Sequence, residues 1–166
     1  HPMCGKERAG IAAADPEIYL GATFILSPLE RTTDAALDLG RAVAAAVEAH
    51  PLLLDAERQD KLTATVSHLP YLLACALVGT ADATTSSDPA AWEIVAGGFR
   101  DTSRVSGSDV TMMLDILLTN REPVLHALTT CVDQLQQLGA LIADGDEAAL
   151  RTTLTTIRNQ RKEMYP

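Results

Sequence analysis

Leu62-Thr63-Ala64-Thr65-Val66-Ser67-His68-Leu69-Pro70-Tyr71-Leu72-Leu73-Ala74-Cys75-Ala76-Leu77 is the stretch that decides the fold class. Its apolar positions Leu62, Val66, Leu69, Leu73, Ala76 and Leu77 recur every three or four residues, the spacing of one helical face and not of a strand. Asp55 supplies a start signal, so the spacing predicts one helix from Asp55 to about Asp82. Pro70 falls inside it, where its ring clashes with a preceding carbonyl and one hydrogen bond is lost, so a kink is expected. The kink lies beside Ser67 and His68, and freed backbone groups next to a hydroxyl and an imidazole mark a candidate site.

Downstream, Ala81 to Ser87 is small and polar and reads as a loop, and Asp88-Pro89 starts a short helix, Ala90 to Ala96, bearing the single tryptophan, Trp92. Next comes Gly97-Gly98-Phe99-Arg100-Asp101-Thr102-Ser103-Arg104-Val105-Ser106-Gly107-Ser108-Asp109, the most polar and glycine-rich segment. Paired glycines are tolerated where a chain bends sharply or another group comes close. Arginine suits a planar carboxylate, and Asp101, three residues before Arg104, shares its helical face. A solvated surface turn is the plainer reading of this segment taken alone. Ser108-Asp109 caps a helix with Met112, Met113, Ile116 and Leu117 inward. Pro123 kinks it or begins a new segment that continues to Ala143, Gly145 ends that, and a last helix runs from Asp146 to Lys162.

Upstream, Thr32 and Thr33 cap a helix from Asp34 to His50 that Pro51 ends, and Gly40 within it either weakens the helix or admits a close neighbour. His50 is then a helix-end cation. Ala22-Thr23-Phe24-Ile25-Leu26 is the one convincing strand, expected to pair with something preceding the sequence. The opening His-Pro-Met-Cys-Gly likewise reads as a chain cut from something longer.

Composition narrows the classes. The 166 residues are 47% hydrophobic but 4% aromatic, so the core is built from Ala, Leu, Val and Ile, which favours close helix packing. A net charge of −9 leaves no basic footprint for nucleic acid. Cys4, Cys75 and Cys131 fit no zinc or redox spacing, and Cys75 and Cys131 read as buried free thiols of a reducing cytoplasm. No His/Cys/acid cluster indicates a metal, and no apolar run reads as a membrane span. The expected architecture is all-α, a bundle-like domain of five or six helices at residues 30–166, with an α/β remnant at residues 1–29.

Three ordered motifs carry a resemblance. His1-Pro2-Met3-Cys4-Gly5-Lys6-Glu7, Ser67-His68-Leu69-Pro70, and Gly98-Phe99-Arg100-Asp101-Thr102-Ser103-Arg104 with Ser108-Asp109 and Asn120-Arg121-Glu122 resemble the prephenate/arogenate dehydrogenases of tyrosine biosynthesis. The resemblance implies the end of a nicotinamide-binding domain followed by a helical domain that binds substrate and forms a homodimer. It implies oxidative decarboxylation of prephenate or arogenate with NAD or NADP in the cytoplasm, and a chain inactive without its nucleotide-binding part. His1 matches the catalytic histidine, Arg104 the arginine that binds a substrate carboxylate and Asp101 the acid near it. Glu7, Ser67 and His68 match residues at or near the site, and Tyr71 stands where many relatives carry a second histidine. Gln59 also stands where a histidine is common, and Val110 and Met113 depart from a proline and an aromatic residue. Another two-domain dehydrogenase, or a non-catalytic dimerisation or regulatory module, are the rival readings.

Overall fold

The computed structural model describes residues 1–6, 10–88 and 90–164. The predicted start signal at Pro89 and the candidate residue Glu7 lie outside them. Two compact units are present, His1–Val124 and Leu125–Pro166.

The first unit opens with a small sheet. Strand β1 (Thr23–Leu26) pairs in parallel with β2 (His50–Leu53), Thr23 opposite His50 and Leu26 opposite Leu53, and helix α1 (Asp34–Ala46) is the crossover between them. The expectation of one strand with an outside partner is therefore corrected: β1 finds its partner inside this sequence. The helix that was to run to His50 stops at Ala46, and His50 is a strand residue, not a helix-end cation. The reversal is made by Glu48, which takes the left-handed conformation with φ of 55°. On the other edge of β1, Pro2 bridges Phe24, the Met3 N–H donates to the Thr23 carbonyl at 2.7 Å, and the Ile25 N–H donates to the His1 carbonyl at 2.8 Å. His1 is thereby fixed beside β1 by main-chain bonds.

α1 begins where expected: Thr33 is the N-cap, its hydroxyl accepting the Ala36 N–H at 3.2 Å. It packs on both strands. Gly40 permits the approach, since a Cβ there would lie 3.2 Å from Leu26 Cδ2. Ile25, Ala44, Ala49 and Leu54 form the buried centre of this layer.

Asp55 caps the next helix, its carboxylate accepting the Arg58 N–H at 2.8 Å. The helix continues unbroken in residues 56–85, as α2 (Ala56–Thr63), a π-helical turn (Ala64–His68) and α3 (Leu69–Thr85). The expected disturbance at Pro70 thus takes the form of a widened turn. Bonding from residue i to i+5, as from the Leu69 N–H to the Ala64 carbonyl, relocates the hydrogen-bond ladder just before a residue that has no N–H to give. This helix is long and apolar enough, by length and composition, to cross a membrane, which corrects the reading that no such run exists.

α4 (Ala90–Glu93) is shorter than expected, and Trp92 meets Phe99 edge-on at 6.2 Å between ring centres. The glycine-rich segment is helical, α5 (Gly97–Ser103), followed by a 3-10 turn (Arg104–Gly107); both pack against α3. α6 (Val110–Thr119) is capped by Asp109, whose carboxylate accepts the Met112 N–H at 2.8 Å, and it buries Met113. α7 (Arg121–Ala143) starts as a separate helix and places Pro123 in its first turn, where the missing N–H costs nothing.

The second unit holds most of α7 and α8 (Glu147–Met164), joined by a turn at Gly145 with φ of 63°. α8 buries none of its described residues. Cys4, Cys75 and Cys131 are free thiols and partly exposed; for Cys75 on α3 and Cys131 on α7 this corrects the expectation of burial.

Candidate functional site

A cavity of about 240 Å³ opens in the first unit. Three elements wall it. His1 comes from beside β1; Gln59, Asp60, Thr63, Ser67 and His68 come from α2 and the π turn; Ile116, Thr119 and Asn120 come from the end of α6. The π turn is what makes this lining possible. A regular helix would present residues 59–63 and 67–68 along a drifting stripe, whereas the inserted residue of a π turn rotates the later side chains relative to the earlier ones.

The wall contains two amide–imidazole pairs. Gln59 Nε2 lies 2.9 Å from His1 Nδ1, and the Ser27 hydroxyl, at the end of β1, donates to Gln59 Oε1 at 2.5 Å. In this arrangement the amide donates to Nδ1 of His1. A half-turn of the amide reverses both bonds, because a hydroxyl accepts as readily as it donates. Either tautomer of His1 is therefore satisfied. The second pair is Asn120 and His68. Asn120 Nδ2 donates to the Asp60 main-chain carbonyl at 2.8 Å and lies 3.2 Å from His68 Nδ1.

His68 is 7% exposed. Its pKa is lowered from the ordinary histidine value chiefly by desolvation, partly opposed by the charge of Asp60, so the ring is held neutral near pH 7. Among the described residues no buried side-chain nitrogen or oxygen lacks a partner.

Of the candidate residues, His1, Ser67 and His68 meet at this cavity. Arg104 and Asp101 do not line it; both are exposed, Asp101 on α5 and Arg104 at the head of the 3-10 turn packed on α3. Tyr71 is half-buried one turn beyond His68, its hydroxyl pKa raised first by a hydrogen bond to Cys75 and then by burial. Of the lining residues to which sequence reading gave no role, Gln59 and Asn120 are the two that pair with the histidines. Gln59 carried a signal as a departure from the family pattern. Asn120 stood in a quoted motif without a role, since its partner lies 52 residues away. Among the described residues no group of three His, Cys, Asp or Glu side chains is placed to hold a metal.

Comparisons with known proteins converge on one family. Residues 55–156 match the family model described as prephenate dehydrogenase, dimerization domain, and residues 1–53 match prephenate dehydrogenase, nucleotide-binding domain. A prephenate dehydrogenase of Bacillus subtilis is 28% identical over 97% of this chain and 43% of its own length. One from Lactococcus lactis is 32% identical over 90% of this chain and 40% of its own length. Among solved structures, prephenate dehydrogenase from A. aeolicus in complex with hydroxyphenyl propionate and NAD+ superposes with a TM-score of 0.91 at 31% identity, over 99% of this chain and 57% of that one. A Synechocystis arogenate dehydrogenase gives a TM-score of 0.84 at 27% identity, over 99% of this chain and 60% of that one. The chain thus spans about two-fifths of the length of these curated relatives. With a family model covering the larger part of its residues, and with the fold of its solved relatives, the chain belongs to the prephenate dehydrogenase family.

Proposed function

We propose that this chain supplies the substrate-binding and dimerisation part of a cytoplasmic, homodimeric prephenate or arogenate dehydrogenase that uses NAD or NADP. The observation that carries the reading is the meeting of His1 and His68, from separate elements, on one polar cavity of a chain in this family. Apart from Asp60, the polar residues lining the cavity are neutral donors and acceptors, suited to hydroxyl and carbonyl oxygens. No glycine-rich turn of the kind that cradles a pyrophosphate lines it, so this cavity is read as the place of the substrate and not of a dinucleotide's pyrophosphate.

When bound, a nicotinamide supplies a hydride acceptor. His1 holds the substrate hydroxyl through Nε2 and takes its proton as the C–H hydride departs and the carbon becomes a carbonyl. For that step the Gln59 amide presents Oε1 to His1 Nδ1–H and its Nε2 to Ser27. The ring then loses its carboxylate: the C–C bond breaks, carbon dioxide leaves, and the bonding pair enters the ring, which becomes aromatic. The carbonyl oxygen ends as a phenol after regaining a proton. Arg104, on the 3-10 turn outside this cavity, is assigned by the family resemblance to a substrate carboxylate, and Asp101 to a place near it. Ser67 borders the substrate from the cavity wall, and the family resemblance assigns Tyr71 and Glu7 to its neighbourhood.

Two substitutions in the full-length protein test the assignment. His1→Asn lowers kcat by about 10²–10⁴-fold with the fold intact, the range for loss of a general base. Arg104→Ala raises KM by about tenfold or more, since a charge-assisted hydrogen bond contributes ~1.5–3 kcal/mol, while the thermal midpoint moves little. Failure of the full-length protein to oxidise prephenate or arogenate with either nicotinamide removes the reading. On its own, this chain turns over neither.

A further inference from the structure

The two amide–imidazole pairs of the cavity are not equivalent, and the difference assigns His68 a role. Asn120 Nδ2 is 2.8 Å from a main-chain carbonyl, that of Asp60, and a carbonyl oxygen only accepts. The orientation of this amide is therefore fixed, unlike that of Gln59, whose second partner is a hydroxyl. With Nδ2 toward Asp60, the same NH2 group presents its other hydrogen to His68 Nδ1 at 3.2 Å. A neutral imidazole accepting at Nδ1 carries its proton at Nε2. Among the described residues no protein group pairs with Nε2, and no buried side-chain nitrogen is left without a partner, so Nε2 touches the open space of the cavity that His68 lines.

We propose that Asn120 is a positioning residue that locks His68 in the Nε2–H tautomer, so that His68 acts as a fixed hydrogen-bond donor to an acceptor oxygen of the substrate and never as a base. The proposal rests on the reading of this cavity as the substrate site, and it divides the labour between the two histidines. His1, with a partner that reverses, is free to accept a proton; His68, with one that does not, recognises a carbonyl or carboxylate oxygen. Burial reinforces the assignment by disfavouring the doubly protonated ring.

The test has a part that needs no substrate. In full-length protein labelled with ¹⁵N-histidine, with the His68 signals assigned by their loss in His68→Gln, long-range ¹H–¹⁵N correlation reads which ring nitrogen is protonated. The expected result is Nε2 protonated and Nδ1 bare, and a proton on Nδ1 overturns the proposal whatever the enzyme does. Asn120→Asp replaces the donor by an acceptor and is expected to move the proton to Nδ1. In a folded Asn120→Ala, KM rises about three- to tenfold, the effect of one misdirected hydrogen bond, with kcat changed less. An unchanged KM in that variant also overturns the proposal. Should Asn120→Asp fail to fold, the tautomer of the unsubstituted protein still decides. A protein that shows the Nε2–H tautomer yet oxidises neither prephenate nor arogenate refutes the function and leaves the lock standing.

Discussion

His68 is harder to charge than a free histidine, and folding stability inherits that property. Its folded pKa lies below the ordinary 6.5 because burial penalises the imidazolium more than the Asp60 charge favours it. Below about pH 6.5 the unfolded chain therefore binds the extra proton more readily than the folded one, and stability rises with pH across the window between the two pKa values. The contribution is fully present above pH 6.5 and lost as pH falls through the folded value. Thermal midpoints of the protein and of His68→Gln, followed from about pH 7.5 to about pH 5, should diverge on the acid side, with the parent falling faster. Parallel curves would show His68 to be solvated. At this scale the sequence was legible where a residue sat in a local pattern: His68 and Ser67 stand beside the helical proline. Asn120 was not, because its bonds reach 60 and 52 residues back, and no periodicity encodes a contact of that span.

At the scale of elements, caps and spacings carried the helices. Thr33, Asp55 and Asp109 each accept the N–H three residues on, as their side chains allow. Failures occurred where an element was too short to show a period. His50-Pro51-Leu52-Leu53 is a four-residue strand containing a proline, and proline at a helix end is the commoner pattern. What holds β2 is register against β1, which is tertiary. The π turn was legible only as a disturbance at Pro70, since propensity says where a ladder breaks and not how it is re-formed. Gly40 offers a sharper test. Its missing Cβ is the space filled by Leu26, the last residue of β1, which immediately precedes the Ser27 that holds Gln59. Gly40→Val must push Leu26 aside and is expected to cost about 1–3 kcal/mol in denaturant unfolding, the usual penalty of overpacking, against whatever helix propensity it adds. Stability equal to the parent would mean Leu26 swings clear.

For the whole molecule, the telling feature is apolar surface that the described residues of one chain leave open. α8 carries Leu150, Leu154 and Ile157 at helical spacing, yet buries none of its residues; Leu154 is 51% and Ile157 46% exposed, and Leu150 and Leu154 line a hollow of about 370 Å³. On α7, Leu135 is 56% and Ile142 66% exposed. An amphipathic helix with an unburied stripe is marginal by itself in water, since packing of that stripe supplies most of its stability. A second copy of the chain is the occupant that the dimerisation-domain match points to. A two-fold interface uses each substituted residue twice, so Leu154→Glu removes two leucine burials of about 1.5–3 kcal/mol each and should weaken association by at least about a hundredfold. Light scattering at micromolar concentration should find the parent as a dimer and Leu154→Glu shifted toward monomer. Leu135→Glu tests whether α7 shares the interface. A monomeric parent would leave these faces to another partner. A monomeric variant of the full-length protein that shows the proposed activity would show that the cavity holding His1 and His68 is complete within one chain, as the confinement of its lining to residues of the first unit leads one to expect.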